Sequence, residues 1–543
     1  MKNRFEKALI SAISELGYPT EKVIVQSPKN PDHGDFTTNY PMINSKEINR
    51  PPMEIATTIV DKINSSGNEL IDKIESIPPG FINVKINKDM LSNQLKQIIS
   101  SNSNYGKNDT GKNKSALVEF VSANPTGPLT VGHGRNAILG DTVCNILEWN
   151  GFSINREYYF NNAGRQMRVL GESVYVRYME ILGENLEIPD GGYEGLYIKD
   201  IAKIIFDKHQ EKFKGDISNK IFKQTAEEYI FKDIEKTLNK IGLKFDSFFN
   251  ENTLYDNNDI DRTINDLKTK NLIYEKDGAT WFKATAAGRD MDRVIIKSTG
   301  EPTYRLPDIA YHRDKFNRNF DVMVDVFGAD HMDAYPDVIA AIKALDYDSD
   351  KIKVLIHQFV TVLKNGEPVK MSTRKANFIS LDSLIDEVGS DVTRFFFIMR
   401  SMNTHLNFDL DLAKEQSDAN PVFYIQYAHA RCCNMLRRFE GDLNSIDESC
   451  LEHLKLDIET QLINKLLTFP EVIRKSSLTL EPQNISNYLA ELSSSFHSYY
   501  AKERVIDSEN KTLTEARVYL INAARIVIRN GLTVLGVSAP EKM

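Results

Sequence analysis

The chain's 543 residues exceed a single ordinary domain, and a hydrophobic content of 41% is enough for several cores. A formal net charge of −9 argues against a globally basic nucleic-acid binder. It leaves room for a local basic face, because screening confines each charge's field to about 10 Å. The four cysteines (Cys144, Cys432, Cys433 and Cys450) form no CxxC pair, no window reaches the roughly 20 apolar residues of a membrane span, and the amphipathic start MKNRFEKALISAISEL has no long apolar run. Structural zinc, a membrane span and a secretory leader are thereby disfavoured, and a reduced, cytoplasmic protein is the expectation.

Residues 1–98 read as a separate small α+β domain. Phe5, Leu9, Ile10, Ile13 and Leu16 keep helical spacing, a loop with Pro31, Gly34 and Asp35 follows, and Pro51-Pro52 opens a second helical run through Ile55, Ile59, Val60 and Ile63. Phe81 to Ile86 alternates like a half-buried strand. Residues 99–115 are a linker by composition. Within it, Gly106 to Lys112 spells GxxxxGK. The next residue, Asn113, lacks the hydroxyl that a Mg²⁺ ligand needs, and a strand rather than a helix follows, so this is no Walker phosphate loop.

The chemistry is concentrated in Ala116 to Trp149, ALVEFVSANPTGPLTVGHGRNAILGDTVCNILEW. A short buried strand (Ala116–Val121) leads through a Pro/Gly-punctuated loop (Ala123–Thr130) into a helix marked by Leu139, Val143, Ile146 and Leu147. Strand, loop and helix in this order put a ligand at the carboxyl end of an open α/β sheet. The helix opens with Gly132-His133-Gly134, where unpaired N–H groups and the helix dipole favour an anion. The glycines let a phosphate come close, and His133 adds a side-chain donor.

Tyr158 to Met167 follows, with Asn161, Asn162 and Gln166 as a polar cluster open to either a cleft or an ordinary loop. Tyr175 to about Phe249 reads as helical and charged, interrupted by a turn at Gly191–Gly195. From Trp281 the α/β character returns. Asp292 to Ser298 reads as a strand, and Val322 to Phe327 as another, feeding through Gly328-Ala-Asp330-His331 into a helix with Val338, Ile339, Ala341, Ile342 and Leu345. Lys353 to Leu363 reads as one long strand returning through an Asn365-Gly366 hairpin to deliver Lys370-Met371-Ser372-Thr373-Arg374. From Asn420 to Met543 the pattern is all helical, and Arg431, Arg437, Arg438, Arg525 and Arg529 are candidate phosphate contacts.

EFVSANPTGPLTVGHGR resembles the HIGH signature of class I aminoacyl-tRNA synthetases, in the form met among arginyl-tRNA synthetases. The family's first histidine is Thr130 here, and its second is His133. KMSTR resembles the second class I signature, KMSK, with Thr373 in place of the last lysine and Ala376 where the family has glycine. YRLPDIAYH, the HGDFTTN and PPGFINVKI pieces near the N-terminus, and NPVFYIQYAHAR are similar to segments of the same family. The resemblance implies an α/β fold: a class I Rossmann-like parallel-sheet catalytic domain over 116–419, with a helical insertion around 175–255. It also implies an N-terminal domain that contacts the tRNA corner and an all-helical anticodon-binding domain over 420–543.

The activity so implied is arginine–tRNA ligation: ATP activates L-arginine to the adenylate, releasing pyrophosphate, and arginine passes to the terminal adenosine of tRNA(Arg). The family generally requires tRNA for the first step, and a monomer is its usual state. No protein nucleophile is needed, because the substrate carboxylate attacks; the protein positions two anions and neutralises developing charge. The resemblance makes His133, Lys370 and Ser372 catalytic. It places ATP against Ala123, Asn124, Pro125, Thr126, Gly127, Pro128, Leu129, Thr130, Val131, Gly132 and His133, and against Lys370, Met371, Ser372 and Thr373. Mg²⁺ is expected with ATP, through phosphates and water rather than a protein cage.

A guanidinium is planar and permanently charged, so it is best met by carboxylates. The family positions for arginine are Glu119, Ser122, Asn124, Tyr304, Asp308 and His331. Glu119, inside an otherwise apolar strand, needs a cation or donors; that cation is either the substrate or an internal lysine or arginine. Competing readings are a class I synthetase of another specificity, most plausibly cysteinyl, and a synthetase-like RNA-binding protein that has lost catalysis. The missing zinc cluster opposes the first, and intact His133, Lys370 and Ser372 oppose the second. An HxGH nucleotidylyltransferase would be far shorter.

Overall fold

A computed structural model describes residues 2–26, 28, 30, 33–162, 164–369 and 379–543. Its centre is a five-stranded, wholly parallel sheet in the order Ile352–His357, Val322–Gly328, Ser115–Glu119, Ser153–Phe160, Ser247–Asn250. The chain starts in the middle strand, moves to one edge, then crosses back to build the other half. The switch point therefore lies between Ser115–Glu119 and Val322–Gly328, where open α/β sheets bind ligands at the strands' carboxyl ends.

Side-chain alternation divides the sheet's two faces. Val118, Val324 and Val326 pack with the signature helix Val131–Trp149 in one core, while Met323 and Ile352 pack with helices Arg305–Asn317 and Tyr335–Ala344 in a second. The signature helix lies close to the sheet because Gly140 faces Phe120; a Cβ there would be 2.2 Å from the ring.

The second face carries an unusual row. Asp325, Glu119 and Glu157 are direct neighbours in register across three strands, and all three are buried. Adjacent like charges are destabilising, and a single helix supplies the remedy. Lys315 Nζ reaches Glu119 Oε2 at 2.6 Å and Asp325 Oδ1 at 2.5 Å, and Arg318, capping that helix, holds Glu157 with two bonds of 2.6 and 2.8 Å. Burial works against the Lys315 charge, but Asp325 and Glu119 outweigh it and hold the ammonium well above the ordinary lysine range.

Several expectations are corrected. Ser247–Asn250 lies within the block read as helical, yet forms the sheet's edge strand; four residues are too few to show a strand period among charged neighbours. The strand expected over Asp292–Ser298 is present as Arg293–Ile296, in a separate antiparallel sheet paired with Ala279–Phe282 and, beyond it, Ile273–Lys276. The long strand over 353–363 is two strands in two sheets: Ile352–His357 edges the parallel sheet, and Val360–Lys364 pairs with Glu367–Pro368 and Leu406–Asp409. The break falls at Gln358, whose carbonyl accepts from the buried Arg135 at 2.7 Å. The Asn365-Gly366 turn is present, with both residues at positive φ (53° and 75°), as a type I′ hairpin requires.

Residues 102–114 run as an ordered strap, not a free tether. The Tyr105 ring stacks on Phe469 at 6.2 Å, and Asn530 donates to the carbonyls of Asn102 and Tyr105. GxxxxGK leads into the strand Ser115–Glu119, and Lys112 pairs with Asp109. The N-terminal sheet (Phe36–Thr38, Phe81–Ile86, Ile71–Ile77) is backed by helices including Lys2–Glu15 and Pro52–Ser65. Five longer helices, Pro421–Arg438, Asp457–Leu467, Phe469–Thr479, Gln483–Lys502 and Lys511–Val534, build the C-terminal part. Buried Arg394 joins it to the centre, bonding the Leu535 carbonyl, the Ile241 carbonyl and Asp141 of the signature helix. All four cysteines are buried, and no helix among the described residues is long and apolar enough to cross a membrane.

Candidate active site

The strand Ser115–Glu119 ends in two left-handed residues, Val121 (φ 66°) and Ser122 (φ 40°). A β-branched residue is strained there, and the surroundings hold it. Asn136 Oδ1 accepts from the Val121 N–H at 2.6 Å, while its amide donates to the Val326 carbonyl at 2.8 Å and meets His357 Nε2 at 3.2 Å. One side chain on the signature helix thus ties three strand ends together. Burial pushes His357 down to about 4, so its ring is neutral.

The loop over 123–130 is clamped from several sides. Tyr158 donates to the Ala123 carbonyl at 2.7 Å, Tyr197 to the Thr126 carbonyl at 2.6 Å, and the Leu381 N–H to the Leu129 carbonyl at 2.8 Å. At Gly127 a Cβ would lie 2.9 Å from the Tyr197 hydroxyl, so any larger residue would have to displace the second clamp. Pro125 and Leu129 are buried, Pro128 is half-buried, and Asn124 donates to Gln166 at 2.7 Å. Asn162 points elsewhere, to Glu227 and Asn252.

Thr130 is the N-cap of the signature helix. Its hydroxyl accepts from the His133 N–H, and its own N–H donates to His133 Nδ1 at 3.1 Å, closing a reciprocal capping box. A backbone N–H can only donate, so Nδ1 is the acceptor. Burial lowers the imidazole's affinity for a second proton, and the neutral ring then carries its hydrogen on Nε2. Val131 is buried, while at Gly132 a Cβ would meet only the Thr130 hydroxyl at 3.6 Å, leaving that position open. A helix N-terminus with a free imidazole N–H and an open glycine can bind a phosphate.

Across the sheet, Tyr311, His312 and Lys315 are buried on the inward side of helix Arg305–Asn317, with the half-buried Asp308 one turn before His312. Glu119 has both oxygens engaged: Oε2 with Lys315, and Oε1 with the Ser122 hydroxyl at 3.0 Å. The cation that the sequence requires for Glu119 is internal here. Asp308 differs, having no side-chain hydrogen bond or ion pair among the described residues. Burial pushes it up to about 7, with His312 opposing and the Glu119 and Glu251 carboxylates adding to the rise. Glu251, just beyond the edge strand, is buried and raised by that burial, against one bond of 2.8 Å from the Tyr159 hydroxyl. Asp308 and Glu251 are therefore acidic groups with which no cation is paired among the described residues, since the nearby Lys315 is taken up by Glu119 and Asp325.

The sequence-expected residues fall into two groups. Glu119, Ser122 and Asp308 come together, Glu119 bonded to Ser122 and acting on Asp308, whereas Tyr304 (75% exposed) and His331, stacked on Phe327 at 5.1 Å, are exposed. Lys370, Met371, Ser372 and Thr373 lie outside the described residues. Among the described residues no group of three His, Cys, Asp or Glu side chains could hold a metal ion. Glu251, Lys315, Asn136 and His357 were not reached from sequence; Lys315 and Arg318, one turn apart at the end of a helix, give the one signal that could have found a paired carboxylate row. Of the C-terminal arginines, Arg431 is stacked between Tyr427 and Tyr500 (4.5 and 4.6 Å), Arg525 and Arg529 bond Asn522 and Asn102, Arg437 bonds the Glu541 carbonyl, and Arg438 is exposed.

Comparison with known proteins agrees along the whole chain. Three family descriptions match in succession: "Arginyl tRNA synthetase N terminal domain" over 1–86, "tRNA synthetases class I (R), catalytic domain" over 94–417, and "DALR anticodon binding domain" over 425–543. The arginine–tRNA ligase of Desulfotalea psychrophila is 47% identical over 96% of this chain and 95% of its own length. That of Pelodictyon phaeoclathratiforme is 46% identical over 100% of both. Among solved structures, the fold is similar to the arginyl-tRNA synthetase of Thermus thermophilus (TM-score 0.79, 20% identity, 100% of both chains). It is also similar to that of Plasmodium falciparum (TM-score 0.77, 19% identity, 100% of this chain and 99% of that one). A reciprocally capped helix start and a cluster of carboxylates on opposite faces of one parallel sheet, within a chain matched end to end in this way, place the protein in the arginyl-tRNA synthetase family.

Proposed function

We infer that the chain is an arginine–tRNA ligase: it joins L-arginine to ATP as arginyl-adenylate, releasing pyrophosphate, and passes the arginine to the terminal ribose of tRNA(Arg). Asp308 carries the specificity side of this reading. A carboxyl group held up to about 7 by burial becomes a strong anion once a guanidinium enters. Glu119 and Glu251 add negative potential, with Ser122, Asn124, Tyr304 and His331 around the remainder of the amino acid.

On the other face, His133 Nε2–H and the open helix start at Gly132 receive the triphosphate, and Lys370 and Ser372 of the KMSTR segment neutralise the departing pyrophosphate. The segment 123–131 and the neighbouring Met371 and Thr373 complete the nucleotide's surroundings. Mg²⁺ arrives with ATP, bound by phosphate oxygens and water, and lowers the charge of the leaving group. The protein works cytoplasmically as a monomer in this reading, and the N-terminal part meets the tRNA corner while the C-terminal helices meet the anticodon.

ATP–pyrophosphate exchange with each amino acid in turn, with and without tRNA, tests the assignment. Exchange with arginine alone, appearing on addition of tRNA, is expected. Exchange driven by another amino acid overturns the arginine pocket, and binding of tRNA without any exchange favours a protein that has lost catalysis.

A further inference from the structure

Away from the pocket's interior, three arginines converge on one buried carboxylate. Asp337, 1% exposed, lies in the first turn of helix Tyr335–Ala344. It accepts from Arg289 Nε, Arg293 Nε and Arg305 Nε, each at 2.9 Å. Asp337 is held below the usual carboxylate range, its burial outweighed by these guanidinium groups. The geometry is notable for what it leaves over. Each guanidinium gives Asp337 only its Nε–H, and no partner is seen for the terminal nitrogens among the described residues. The three side chains are 27%, 23% and 25% exposed.

An internal clamp needs one arginine to satisfy one aspartate. Three around one leave an excess of two positive charges, offset in part by Asp290, the next residue in the chain, which acts on Arg289. The position is as informative as the charge. Arg305 opens the helix that carries Asp308, and Asp337 follows the crossover through His331 at the carboxyl end of Val322–Gly328. The trio therefore borders the edge of the sheet where the aminoacyl group must meet its acceptor. It packs with the second core, on the face opposite the signature helix, and so is separate from the anion site at His133.

We propose that Arg289, Arg293 and Arg305, oriented by Asp337, form a phosphate-binding surface for the single-stranded acceptor end of tRNA as it enters the arginine pocket. This rests on the ligase reading above. Asp337 fixes each guanidinium by its Nε, so the outward-facing nitrogens are pre-set to meet phosphodiester oxygens in pairs. The contact is independent of base identity.

The test is binding of transcribed tRNA(Arg) between 50 and 200 mM NaCl by the full chain and by the double variant Arg289→Gln/Arg293→Gln. A second RNA, lacking its last four nucleotides, is measured in parallel. Loss of two phosphate contacts is expected to weaken binding several-fold to about tenfold and to reduce the slope of log K against log salt by roughly 1.5–2. With the shortened RNA, the variant and the unaltered chain are expected to bind alike. Arg289→Lys/Arg293→Lys, which keeps both charges, is expected to retain most of the slope, and the single variants Arg289→Gln and Arg293→Gln, each expected to lower the slope by roughly 1, serve if the double glutamine variant does not fold.

An unchanged affinity and slope overturns the proposal. So does a loss that persists with the shortened RNA, which would put the contact elsewhere on the tRNA. A raised KM for ATP with tRNA binding unchanged would assign the surface to nucleotide phosphate instead. Arginine charging by the unaltered chain reports separately on the ligase reading, so the two fail independently.

Discussion

The ammonium of Lys315 lies 2.6 Å from Glu119 Oε2, with both side chains almost wholly buried. The same nitrogen reaches Asp325, Glu119's neighbour in register, so one cation is shared by two carboxylates. Removing one partner of a buried ion pair typically costs about 3–5 kcal/mol, because the charge left behind has no water to turn to. Lys315→Met is expected to lose stability on that scale in urea unfolding. A loss below about 1 kcal/mol would mean that the two carboxylates share a proton or admit water instead.

Asp308 makes arginine binding depend on pH. With its carboxyl pushed up to about 7 from an ordinary 3.8, the folded protein binds a proton more tightly than the unfolded chain. The apo protein therefore loses stability from this group as pH rises from about 4 through 7, and regains it when a guanidinium arrives. Only the ionised form attracts that guanidinium. At pH 6 about a tenth of the protein is competent and at pH 8 about nine-tenths, so the KM for arginine is expected to be about tenfold higher at pH 6. Asp308→Asn is expected to raise KM at every pH and to flatten the profile; a profile that stays steep would assign the titration to another group.

How far these features were legible in sequence depends on how local their signals are. Thr130 to Trp149 could be read because two glycines, a histidine and a helical stripe lie within one short stretch, and that stretch has the form met in the family. Ser247–Asn250 could not, since its strand character exists only through pairing with Ser153–Phe160. Glu251 was lost with it. Glu119 stood out as a charge in an apolar strand, but choosing between an external and an internal cation needed the position of Lys315, nearly two hundred residues on. Asp337 carried no signal at all, because its three arginines come from three separate elements.

The Thr130–His133 capping box yields a separable pair of effects. Thr130→Ala removes the cap and is expected to cost about 1 kcal/mol in thermal or urea unfolding. The backbone N–H that holds His133 Nδ1 survives the change, so the imidazole stays in place and activation should slow far less than in His133→Ala. His133→Ala removes the Nε2–H donor and is expected to cut the exchange rate by about 10²–10³. His133→Asn, able to donate from a nearby position, should recover part of it. Equal rates for the alanine and asparagine variants would exclude hydrogen donation as the role of His133.

Two glycines of the signature helix should respond in opposite ways to the same added methyl group. At Gly140 the new Cβ would stand 2.2 Å from Phe120 Cγ and 2.4 Å from its Cβ. An atom so near the backbone cannot swing aside, so the helix must lift from the sheet. Overpacking of this kind costs about 1–3 kcal/mol, and Gly140→Ala is expected to show it in the unfolding midpoint. At Gly132 the new Cβ would meet only the Thr130 hydroxyl at 3.6 Å. Alanine also suits a helix better than glycine, by up to about 1 kcal/mol, so Gly132→Ala should fold at least as stably. Its methyl group, however, would occupy the space through which a phosphate approaches the helix N–H groups. A raised KM for ATP at undiminished stability is the expected result, and an unchanged KM would remove the phosphate from this end of the helix.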